Sequence, residues 1–68
     1  MNEETFNLSI RKFLKMVGVN SQRQIEQAVA KAIADGSITG TESFPATVNL
    51  HVAGLKLQVT FQGEIELQ

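Results

Sequence analysis

Apolar positions recur along this chain with two periods. From Asn2 to Gly36 the period is helical, and from Phe44 onward it is two. The clearest segment is SQRQIEQAVAKAIADG, residues 21–36. Ile25, Ala28, Val29, Ala32 and Ile33 fall at i, i+3, i+4, i+7 and i+8, which makes one apolar stripe. Ser21 and Gln24 have the spacing of a capping box, and Gly36 supplies a left-handed terminator. The pattern predicts a helix over 21–35.

A first helix is predicted over 3–17. Asn2 stands as its N-cap, with Glu3 and Glu4 in the turn where the helix dipole favours anions. Phe6, Ile10, Phe13, Leu14 and Val17 share a face, with Arg11, Lys12 and Lys15 opposite. Gly18 is read as its terminator, and Val19-Asn20 as a short turn between packed helices. The segment GSITGTES that follows reads as a linker, with Ile38 tucked under the helices or briefly paired as a strand.

Strands are predicted over 44–52 and 55–67. Phe44, Ala46, Val48, Leu50 and Val52 alternate with polar residues, and after Ala53-Gly54 the parity switches to Leu55, Leu57, Val59 and Phe61. A two-residue turn at Ala53-Gly54 pairs Val52 with Leu55 and Leu50 with Leu57, so apolar meets apolar on one face; a four-residue loop gives the same facing, whereas a three-residue loop would set His51 beside Leu55 and mix the faces. Phe44 then covers Gly63 across the strands, and Pro45 points its missing N–H outward. A second hairpin at Gln62-Gly63 would turn Glu64 and Glu66 toward the core, so one long second strand is expected. The fold class is therefore α+β, two N-terminal helices on a C-terminal antiparallel hairpin (ααββ). Its expected core is Phe6, Ile10, Phe13, Leu14, Val17, Ile25, Val29, Ile33, Val48, Leu50, Leu57, Val59 and Phe61.

Composition adds a constraint. A single domain of 68 residues, without cysteine and with one histidine, has neither disulfides nor a zinc-type ligand set to support a small core. Oligomerisation remains. A homodimer is expected, its sheet extended to four strands along the outer edge of the second strand at Lys56, Gln58, Thr60 and Gln62. Pro45 makes the other edge the poorer template. Exchange of the helical pair between subunits is a variant that the short glycine-containing linker permits. No signal peptide and no membrane-length apolar run is present, so a cytoplasmic protein without a membrane partner is expected.

The stretch MNEETFNLSIRKFLKMVGVNSQRQIEQAV, the later Gly-Leu turn and the acidic GEIEL ending resemble a small family of uncharacterised bacterial proteins. That family carries a domain-of-unknown-function label, and the similarity spans most of the chain. The resemblance implies a bacterial, free-standing small domain and brings no activity with it.

The net charge of −1 hides a basic middle. Arg11, Lys12, Lys15, Arg23 and Lys31 face only Glu26 there. The sharpest functional alternative is nucleic-acid binding by a helix-turn-helix over 3–35. Gln22 and Arg23 would open a recognition helix, and Arg11, Lys12 and Lys15 would meet phosphates. The slightly acidic total and the missing third helix argue against it. His51 has no nucleophile or carboxylate placed beside it and reads as a solvent-facing strand residue near Lys56. Asp35, Glu42, Glu64 and Glu66 fit no calcium loop. Ala30 and Ala34, on the back of the second helix, read as helix-favouring residues before they read as a docking face. No catalytic, cofactor-binding or metal site is expected, and no cofactor. The expected role is a non-enzymatic, homodimeric protein-interaction module that binds another protein.

Overall fold

The computed structural model describes residues 1–68 as one helix, α1 (Glu3–Ala34), followed by an antiparallel hairpin of β1 (Ser43–Val52) and β2 (Leu57–Glu66). The class is α+β. Two compact units divide the chain, Met1–Ser37 and Ile38–Gln68.

In the first unit the expected pair of helices is a single one. Residues 18–20 are helical, and Gly18 lacks the positive φ of a terminator. An interior glycine costs about 1 kcal/mol relative to alanine, which a helix of 32 residues absorbs. The side chain of Asn20 donates to the Met16 carbonyl at 2.8 Å, one turn back within the helix. The stripe also keeps its phase: Val17, Ser21 and Ile25 follow one another at four-residue steps. Ser21 is thus an interior residue on the apolar side, and no capping box forms there.

Both true ends are closed as their residues dictate. Asn2 Oδ1 accepts from Thr5 N at 3.1 Å, and Glu3 and Glu4 occupy the first turn. At the other end Gly36 adopts φ 80°. Ser37 N donates to Ala32 O at 2.9 Å and Gly36 N to Ile33 O at 3.2 Å. That pair of bonds is a Schellman motif, with Lys31 in the last turn where the dipole favours a cation.

In the second unit the two faces form as expected, but the register is shifted. Val52 pairs with Leu57, Leu50 with Val59, Val48 with Phe61, Ala46 with Gly63 and Phe44 with Ile65. The connection is four residues: a single 3₁₀ turn, Ala53–Leu55, and Lys56 at φ 53°, whose N–H donates to Ala53 O at 3.0 Å. A two-residue type I′ turn would need positive φ at Ala53 as well as Gly54. The observed turn needs it at one residue only. Each strand keeps its parity, so every apolar side chain stays on its face. The finer expectations move: Phe44 lies opposite Ile65 and leaves Gly63 uncovered, His51 pairs with Gln58, and Leu55 lies in the turn, 73% exposed.

β2 runs unbroken through Gly63, with no second hairpin. Residues 36–42 contain no strand, so Ile38 makes no brief pairing. Leu67 N donates to Glu42 O at 3.0 Å, adding a rung beyond the strand ends. This bond fixes the alternation of the ladder, and Pro45 falls in a non-hydrogen-bonded pair with Glu64.

Neither unit buries any of the thirteen side chains expected as a core. A lone helix and a two-stranded sheet each offer one apolar face with nothing of their own unit to cover it. No helix is long and apolar enough to cross a membrane.

Candidate interaction surface

Three separate features are candidates for interaction: the helix stripe in the first unit, and the one-sided sheet and the open edge of β2 in the second.

On α1 the stripe now runs from Phe6 to Ile33. At 1.5 Å per residue that is about 40 Å. Phe6 is 48% exposed, Phe13 47% and Ile33 49%. Leu8, Met16 and Val19 lie off the stripe and are also exposed. Around the first two, Thr5, Leu8, Ser9, Lys12, Phe13 and Met16 line a shallow open groove.

On the hairpin, Val48, Val52, Leu57 and Phe61 hold one face, all exposed. The opposite face is polar and partly cross-linked. Thr60 Oγ1 donates to Asn49 Oδ1 at 2.8 Å, and Ser43 Oγ to Glu64 Oε2 at 2.7 Å. Thr60 therefore meets Asn49, and Thr47 meets Gln62.

The edge residues divide. Gln58, Thr60 and Gln62 belong to non-hydrogen-bonded pairs, so their backbone groups point outward from β2. Lys56 does not join them. It is the left-handed residue of the turn and lies outside the strand.

The basic residues are placed differently from the helix-turn-helix expectation. The turn required between Val17 and Ser21 does not exist, so Gln22 and Arg23 sit in mid-helix and cannot open a recognition helix. Arg11, Lys12, Lys15, Gln22 and Arg23 are all exposed. At about 100° per residue, Arg11, Lys15 and Gln22 share a narrow arc, and Lys12 and Arg23 lie some 80° beyond it. Gln22 Nε2 donates to Glu26 Oε2 at 3.3 Å.

One polar constellation has no counterpart in the sequence reading. The Glu42 carboxylate folds back over the preceding backbone. It accepts from Thr39 N at 2.9 Å, Gly40 N at 2.9 Å and Thr41 N at 3.0 Å. Gly40 at φ 100° turns the peptide groups inward. The Thr39 N–H leads in holding the carboxyl down to about 2, opposed by desolvation and joined by the N–H groups of Gly40, Glu42 and Thr41. Asp35 is lowered in the same sense, first by the Ser37 hydroxyl and then by Ser37 N at 2.9 Å. These carboxylates serve the chain's own backbone. The local signal for Glu42 was T-G-T-E, a glycine between two small polar residues ahead of an acid. No three His, Asp or Glu side chains converge as metal ligands would.

What this geometry defines is an α+β chain of one long helix and one single-sided hairpin, with apolar surface uncovered on both. The chain belongs to the family of unknown function DUF6494, which matches residues 1–68. No curated protein and no solved structure matches it.

Proposed function

We propose that the chain is a non-enzymatic protein-interaction module that works as a homodimer. The observation that carries this reading is the complete lack of buried residues alongside exposed Phe6, Phe13, Leu57 and Phe61. Apolar faces of this extent are covered in a working protein, and an isolated two-stranded hairpin is marginally stable at best. A second copy doubles the available apolar surface without requiring any further chain. The β2 edge offers a route: Gln58, Thr60 and Gln62 present outward backbone groups, no proline interrupts them, and antiparallel pairing about a two-fold axis completes a four-stranded sheet. The cytoplasm suits such a module.

Sedimentation and light scattering provide the test. The wild type is expected to be a dimer at micromolar concentration. Gln58→Pro removes an outward N–H while leaving the inward ladder intact, and is expected to weaken the dimer at least tenfold. A wild type that stays monomeric at high micromolar concentration overturns the reading. So does duplex DNA binding that weakens steeply with salt and is lost when Arg11, Lys12 and Lys15 are reversed in charge.

A further inference from the structure

α1 carries a repeat that emerges only because the helix is continuous. Phe6, Val17 and Ala28 are eleven residues apart, as are Ile10, Ser21 and Ala32, and Leu14 and Ile25. Eleven residues make three turns of about 3.67 residues, a repeat that keeps these positions on one seam when paired helices wind right-handed about each other. At 3.6 residues per turn the same positions drift slowly round the helix. The seam spans both halves of what would otherwise be two separate stripes.

We propose that α1 pairs along this seam with α1 of a second copy, antiparallel, with the two-fold axis at the level of Val19 along the helix. This rests on the homodimer reading above and specifies how the helices meet. Residue size selects the direction. Bulky side chains fill the N-terminal half (Phe6, Ile10, Phe13), and smaller ones the C-terminal half of the seam (Ser21, Ala28, Ala32). With the axis at Val19, Phe6 stands level with Ala32 of the second copy, Ile10 with Ala28, Phe13 with Ile25 and Val17 with Ser21. Each pair sets a larger side chain against a smaller one, which holds the axes at an even separation. Parallel pairing would stack Phe6 on Phe6 and Ala32 on Ala32, wedging one end apart and leaving the other hollow.

Area and length favour this occupant. Phe6, Ile10, Phe13, Leu14, Ile25 and Ile33 leave 39–52% of their surface exposed. Covering them in both copies, with the valines and alanines between, removes on the order of 1,000 Å² from water, where specific interfaces begin. A seam about 40 Å long is matched along its whole length by an identical helix, whereas a strand of ten residues reaches only about 33 Å.

The chain has no cysteine, so a single Glu4→Cys variant of the full chain carries one spin label on an exposed first-turn position. Antiparallel pairing about Val19 separates the two labels by about 45 Å along the axis. Parallel pairing brings them within about 20 Å. Separately, oxidising an equimolar mixture of Ile10→Cys and Ala28→Cys chains should give a mixed disulfide in preference to either homodisulfide. A monomeric wild type overturns the homodimer reading and this proposal with it. A dimer with a short label distance, or with Ile10→Cys homodisulfides dominating, overturns the helix pairing alone.

Discussion

Lys56 holds the one positive φ of any residue other than glycine, and it does so at the tip of the hairpin. The left-handed region costs an L-residue about 1–2 kcal/mol, which glycine avoids at some loss of chain entropy. Lys56→Gly should therefore raise stability by about 0.5–1 kcal/mol in a denaturant titration. Gly54 has no positive φ and open space where a Cβ would go, so Gly54→Ala should change stability by less than about 0.5 kcal/mol. Gly36 is the opposite case: at φ 80° it closes the Schellman motif, and Gly36→Ala should cost about 1 kcal/mol. Glu42 sets a pH window. Its carboxyl is lowered from 4.5 to about 2 in the folded loop, so its contribution is complete above 4.5 and fades as pH falls toward 2. Protection of the Thr39, Gly40 and Thr41 amides, relative to their intrinsic exchange at the same pH, should accordingly fall through that window. In Glu42→Gln the loss of protection should already be present at neutral pH.

At the scale of the element, Gly18 separates one helix from two. As a terminator it would need positive φ, and Gly18→Ala would destabilise the chain. As an interior helical residue with nothing within 4 Å of an added Cβ, Gly18→Ala should stabilise by about 1 kcal/mol, read as a higher unfolding midpoint. The sequence makes this junction hard to read because Gly18 and Ser21 are both a stop-and-start signal and tolerable interior residues. Only the unbroken phase from Val17 through Ser21 to Ile25 tells the two apart. The real caps were legible, since Asn2 and Gly36 have no competing interior role. The strand faces were legible too, because parity survives any shift of register by two. The choice between a two-residue and a four-residue connection was not, since it depends on the backbone angle of Lys56, and nothing in a lysine announces a left-handed turn. The Glu42 loop escaped notice for a related reason: its bonds run to backbone groups, which carry no residue signature.

For the whole molecule, the missing interior is the dominant fact. Apolar positions were correctly assigned to faces, but two elements per chain leave those faces uncovered within each unit. In the homodimer proposed above, stability is inseparable from concentration, and the unfolding midpoint should rise as the chain is concentrated. The same feature sets a hazard for any copy whose strand edge is left unpaired. Between Lys56 and Glu64 the sequence LQVTFQG contains no charge and no proline, and it lies on an open strand edge. Such a run can recruit identical copies without end, stacking into cross-β fibrils in place of a closed pair. Lys56 and Glu64 flank it as charged gatekeepers. In the dimer proposed above this edge is already paired, and thioflavin fluorescence should appear soonest in variants that cannot close the pair.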